Sequence, residues 1–143
     1  MLTRATWQQD MEFKVDFPQG ESLTLASIPA DQRPGPGPSP VDVIQAAVAG
    51  CTGIDVVMIL KKMRKTIDSF SIEIDPTRRD EEPRIFTSIE IIYHLAGPDL
   101  DASSVTRAVE LSQDKYCSVT AMLQPTIKFT RRINLNGEWL KEA

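Results

Sequence analysis

Between Met11 and Phe17 the apolar residues Met11, Phe13, Val15 and Phe17 alternate strictly with Glu12, Lys14 and Asp16, the period of two of a strand with one wet face. Pro18, Gln19 and Gly20 make a turn, and Leu23 and Leu25 continue as a second strand, predicting an N-terminal hairpin. From Asp31 to Pro40 alternating proline, glycine and serine exclude helix and sheet interiors and predict a surface loop. Ser39-Pro40-Val41-Asp42 then reads as a helix start, with Ser39 as cap, Pro40 in the first turn and Asp42 closing a capping box. The spacing predicts a long helix from Pro40 to about Lys65, apolar nearly all round to Leu60. Ala46, Ala47, Ala49, Gly50 and Gly53 at its middle imply a very close neighbour. Lys61, Lys62, Arg64 and Lys65 end it with cations where the helix dipole favours them.

Two further strands are predicted. One carries Phe70, Ile72 and Ile74, and the other Ile85, Thr87, Ile89, Ile91, Tyr93 and Leu95 along one face. Asp101 caps a second helix running to about Tyr116, with Val105, Val109 and Ser112 inward. A short helical piece over 118–123 precedes Pro125 and a last strand in which Ile127 and Phe129 alternate with Lys128 and Thr130. The expected order is ββαββα(α)β, an α+β fold with antiparallel strands and helices gathered on one face, in a single domain over 1–143.

Composition places these elements in an ordinary globular chain: 143 residues, 41% hydrophobic and 25% charged. A net charge of -4 supplies no field to draw the protein to phosphate backbones, so nucleic acid is not an expected partner. Met1 to Asp10 lacks the basic and apolar regions of a secretory signal, which points to a cytoplasmic protein. The long apolar stretch is interrupted by Asp42, Gln45, Gly50, Gly53 and Asp55, as suits a buried helix rather than a membrane span.

Cys51 and Cys117 are the only thiols, and in a reducing compartment such a pair is more often catalytic, redox-sensing or simply buried than a permanent crosslink. Cys51 falls in line with Ile44, Ala47, Val48, Ile54, Asp55 and Met58, on a stripe facing the core or a partner, where the bland alternative is a small buried hydrophobe. Cys117 falls at the junction of two helical pieces, where free backbone N–H groups give its thiol a reason to ionise. Asp55, one turn after Cys51, is a candidate polar contact within an apolar surrounding and then needs a partner. Other candidates are weaker. A lone His94 with two distant cysteines lacks zinc-site spacing, so no metal is expected, and Gly35 and Gly37 follow no phosphate-binding pattern. Lys61 to Lys65 is accounted for by the helix dipole and solvent.

The segment PVDVIQAAVAGCTGIDVVMILKKMRK, Pro40 to Lys65, together with YCSVTAML, Tyr116 to Leu123, resembles the OsmC/Ohr family of osmotically inducible and organic hydroperoxide resistance proteins. The resemblance covers most of the chain and implies the OsmC-like fold, in order ββαββααβ. It implies antiparallel sheets wrapped around a long central helix, in an intertwined homodimer whose helices pack on each other. It also implies a cofactor-free, thiol-dependent peroxidase, reset by a dithiol reductant, in which Cys51 matches the peroxidatic cysteine and Cys117 the resolving one. Asp42 matches an acidic residue at the helix start, whereas the Ohr branch carries its glutamate one position earlier, at Val41 here; Asp42 also has the full structural explanation of the capping box. No motif here places the family's active-site arginine; Arg33, in the loop before the helix, is the first candidate and Arg4 the second, and an ordinary solvated loop charge is the alternative for either. The apolar helix favours organic hydroperoxides over hydrogen peroxide. The alternative is a non-enzymatic dimer of the same fold, acting as a redox sensor or binding a small ligand.

Overall fold

The alternation across Met11–Phe17 forms a strand, but with a neighbour on each side. In the computed structural model, which describes residues 1–141, β1 (Arg4–Gln9), β2 (Glu12–Asp16) and β3 (Ser22–Ala26) make an antiparallel meander in that order. The hairpin of β2 and β3 agrees with the sequence. The β1 strand was not expected, because all its residues are exposed and RATWQQ shows no period of two. Its pairing comes from β2, with Trp7 opposite Phe13. Asp10, at φ 45°, turns the chain between them and accepts the Trp7 indole N–H on its carbonyl at 2.8 Å. The proline and glycine loop returns to this sheet, Ala26 N–H donating to the Pro38 carbonyl at 3.0 Å. At Gly37 a β-carbon would lie 2.0 Å from the Thr24 carbonyl oxygen, so only glycine fits there.

The predicted helix is α1 (Pro40–Lys62). Its capping box is formed as read: Asp42 N–H donates to Ser39 Oγ at 3.1 Å and Ser39 N–H donates to the Asp42 carboxylate at 3.2 Å. It stops short of Lys65 because Arg64 turns to φ 60° and Lys65 N–H closes back on the Leu60 carbonyl at 2.9 Å. The chain divides within α1 into two compact units, Met1–Ala46 and the remainder from Ala47. In the second unit the buried face of α1 is Val48, Thr52, Val56 and Leu60, each four residues from the next. Of the stripe expected to face the core or a partner, Val48 is buried and Cys51 half-buried, whereas Ile44, Ile54 and Met58 are exposed. A helix apolar nearly all round does not select a face by hydrophobicity, and here the polar Thr52 marks it. Length and composition would let α1 cross a membrane, but its buried stripe and the hydrogen bonds of Thr52 make it the core helix of the second unit.

The second sheet has the order β4 (Ser69–Arg78), β5 (Phe86–Ala96), β6 (Lys128–Leu135) and β7 (Glu138–Trp139). β4 and β5 are an antiparallel pair. β5 and β6 pair in parallel, a correction to the uniformly antiparallel expectation. The helices between them return the chain to the end of the sheet where β5 began, which makes a parallel crossover. Central β5 buries residues on both faces, among them Ile89, Ile91, Ile92, Tyr93 and Leu95. Asp101 caps α2 (Ala102–Leu111), accepting Ser104 N–H at 2.7 Å. The helix expected to run on to Tyr116 instead widens into a π-helical turn, Ser112–Tyr116, before α3 (Ser118–Leu123). The result is a mixed α+β fold with two sheets and few helices.

Candidate active site

The π-helical turn positions one half of the site. Cys117 N–H donates to the Ser112 carbonyl at 2.7 Å, the wide i to i−5 closure that π turns make and that recurs at functional sites. This turns Ser112 and Gln113 inward, both buried, and leaves Cys117 as the cap of α3. Its Sγ accepts Thr120 N–H at 3.4 Å and lies 3.1 Å from Thr120 Oγ1. The junction predicted for Cys117 is therefore present.

The other half comes from α1, where Cys51 and Asp55 lie one turn apart and both are half-buried. The Cys51 Sγ, the Cys117 Sγ and an Asp55 carboxylate oxygen all lie within 4.8 Å of one another. Both thiols are free. Asp55 Oδ2 accepts the Ser112 hydroxyl at 3.0 Å. Ser112 Oγ is also 2.7 Å from Thr52 Oγ1, which is 2.7 Å from the Tyr93 hydroxyl. A continuous chain of hydroxyls thus runs from the central strand through α1 to Asp55. The Gln113 amide lies beside Tyr93, yet its buried Nε2 has no partner of hydrogen-bonding geometry among the described residues.

Burial pushes the Cys117 thiol above its usual range, against the opposing hydrogen bonds from Thr120 and with a further upward push from Cys51. The ionisation expected of Cys117 from its place at a helix start is thus corrected: burial outweighs the N–H donors. Burial likewise drives the Tyr93 hydroxyl well above the ordinary phenol range, with Thr52 opposing. The two cysteines therefore differ, one half-exposed and approachable, the other enclosed and held neutral.

Arg33 and Asp42 belong to the first unit, where they line a cavity of about 440 Å³ with Ala26, Ile28 and Ser39. The Asp42 carboxylate is engaged in the capping box. Arg4 lies on exposed β1, opposite Asp16. His94 pairs with Glu73 and meets Trp139 edge-on at 5.7 Å between ring centres. Sequence reasoning passed over Thr52, Tyr93, Ser112 and Thr120. Thr52 gave a faint signal, a hydroxyl at fourfold spacing between Val48 and Val56.

The profile of OsmC-like proteins matches residues 32–132, a span holding both cysteines, Asp55 and the whole hydroxyl chain. The chain belongs to the OsmC-like family. Protein YhfA of Escherichia coli strain K12 is 35% identical over 130 residues, covering 91% of this chain and 94% of YhfA. The crystal structure of an OsmC-like protein from Mycoplasma pneumoniae superposes with a TM-score of 0.80 at 14% identity, covering 93% and 94% of the two chains. The organic hydroperoxide resistance protein OhrB of Bacillus subtilis does so at 0.65 and 15% identity, covering 95% and 98%. At those identities the two structures establish a shared fold. In this OsmC-like chain the fold joins two cysteines from remote parts of the sequence, with a carboxylate between α1 and the π turn.

Proposed function

We propose that this OsmC-like protein is a cytoplasmic, homodimeric, thiol-dependent peroxidase that reduces organic hydroperoxides. The observation that carries the reading is the convergence of Cys51 and Cys117 Sγ atoms within 4.8 Å, with Cys51 approachable and Cys117 buried. Structural relatives described as organic hydroperoxide resistance proteins support the substrate class. Exposed Ile54 and Met58 on α1, beside the half-buried Phe70 and Ile72, support an apolar surface for a second copy.

In the first step the Cys51 sulfur attacks the distal oxygen of R–O–OH. An S–O bond forms as the O–O bond breaks, sulfur is oxidised by two electrons, and the alkoxide leaves with the proton given up by the thiol. Asp55, with a carboxylate oxygen within 4.8 Å of both sulfurs and fixed by Ser112, is the group that passes this proton from thiol to alkoxide, directly or through one water. This assigns the acidic role to Asp55, while Asp42 serves the helix cap. In the second step Cys117 attacks the sulfenic sulfur, a disulfide forms, and hydroxide leaves as water with the Cys117 proton. A dithiol reductant returns both thiols and is itself oxidised to a disulfide. The two sulfurs start within 4.8 Å of each other and close to about 2.05 Å when the bond forms.

The test is stopped-flow mixing of reduced protein with cumene hydroperoxide or hydrogen peroxide, followed by intact-mass and peptide mapping. A Cys51–Cys117 linkage should form faster with the organic oxidant. Cys51→Ser should abolish consumption, and Cys117→Ser should leave a sulfenic acid that dimedone traps. If both variants consume peroxide as the parent does, or if no linkage forms, the reading is wrong.

A further inference from the structure

The cluster of Cys51, Asp55 and Cys117 has a second chemistry that requires no oxidant. Two thiols and a carboxylate whose ligand atoms all lie within 4.8 Å of one another approach the spacing of a tetrahedral cation site. Ligands about 2.3 Å (sulfur) and about 2.0–2.2 Å (oxygen) from a zinc ion sit roughly 3.5–3.8 Å apart. The contraction needed is at most about an ångström, within reach of the single χ1 of each cysteine and the two torsions of Asp55. Cys51 and Asp55, one turn apart on α1, offer two ligands from one rigid face, and Cys117 offers the third from the π turn.

The outer contacts already have the form that metal ligands require. Thr120 directs its backbone N–H at the Cys117 sulfur and keeps its hydroxyl 3.1 Å away, a contact that can steady a thiolate ligand. Ser112 holds the Asp55 carboxylate by Oδ2 and its own Oγ lies 2.7 Å from Thr52 Oγ1. Cys51 and Asp55 are half-buried rather than enclosed, so a fourth position remains open to water or a ligand. Thiolate ligands select against magnesium and calcium and for zinc and softer ions.

We propose that the reduced protein binds a divalent cation of the zinc class through Cys51 Sγ, Cys117 Sγ and the Asp55 carboxylate, with the fourth position open. Binding deprotonates both thiols and releases those protons to solvent, and it changes no oxidation state. Disulfide formation removes two of the three ligands, so metal retention reports the redox state of the pair. Coordination needs only reduced thiols and is independent of any turnover of peroxide.

The experiment titrates metal-free, reduced full-length protein with ZnCl₂ against a chromophoric chelator, and with CoCl₂ followed by absorption. About one Zn²⁺ per chain should bind, and Co²⁺ should show the near-ultraviolet charge transfer of thiolate coordination. Asp55→Asn should weaken Zn²⁺ binding by tenfold or more, and Cys51→Ser should remove both the charge transfer and stoichiometric binding. Alkylation of folded wild type at the approachable Cys51 should do the same without depending on how a variant folds. Absence of stoichiometric binding, binding undiminished in Cys51→Ser and Asp55→Asn, or equal binding by the disulfide form would each overturn the assignment. Zinc binding without peroxide consumption would leave this site standing and remove the peroxidase reading; the reverse would do the opposite.

Discussion

Replacing Thr52 by valine keeps shape and removes one hydroxyl from the centre of the second unit. Thr52 is fully buried, as are its partners Tyr93 and Ser112, and each hydroxyl lies 2.7 Å from the Thr52 oxygen. Each buried neutral hydrogen bond contributes about 1 kcal/mol net, so two are worth about 2 kcal/mol. Ser112 keeps its bond to Asp55, whereas the Tyr93 hydroxyl is left beside only the Gln113 amide. The methyl that replaces the hydroxyl returns up to about 0.8 kcal/mol, while the stranded phenol adds a penalty of similar size or larger. The expected loss is about 2 kcal/mol. Urea unfolding of reduced protein should show it as a midpoint lowered by about 1 M at an unchanged slope. Tyr93→Phe in the same background removes the stranded group, so the double variant should be more stable than the sum of the single losses predicts, by roughly 0.5 kcal/mol or more. A Thr52→Val loss below about 0.5 kcal/mol, or strict additivity with Tyr93→Phe, would refute the claim that the Thr52 hydroxyl holds this core together.

The remaining predictions concern charge and capping. Because burial raises the Cys117 thiol and the Tyr93 phenol in the native state, the unfolded chain ionises first on the alkaline side. Stability is then full below the unfolded thiol value of about 8.5 and falls as pH rises above it; the urea midpoint should show this decline, less steeply in Cys117→Ala. Asp42→Ala removes half of the capping box and should cost about 1 kcal/mol of stability while leaving the rate of thiol oxidation by cumene hydroperoxide unchanged. A collapse of that rate in a folded Asp42→Ala protein would return the acidic role to Asp42.

The parts of this fold legible in the sequence are those governed by local rules. Alternation marked β2, the box Ser39 to Asp42 marked the start of α1, and Asp101 and Pro125 bracketed the later helices, because each rests on contacts a few residues apart. β1 and β7 escaped because their exposed residues carry no period and their pairing is supplied by a neighbouring strand. The π-helical turn escaped because Ser112–Tyr116 reads as continued helix, and its widening is decided by where Cys117 N–H closes.

The site was half legible for the same reason. Two cysteines in recognisable contexts announced themselves and Asp55 stood out as a carboxylate in an apolar helix, whereas the hydroxyls acquire meaning only when α1, β5 and the π turn meet. Thr52 joins the two levels. In an almost uniformly apolar helix, its hydroxyl is satisfied by the face that meets Tyr93 and Ser112, so burying it selects the rotation of α1. That rotation carries Cys51, one residue earlier, and Asp55, three residues later, to the margin of the core rather than its centre. There both remain approachable while their reactive atoms reach Cys117. A polar residue that looks like a flaw in a hydrophobic stripe thus orients the helix, and the orientation assembles the site.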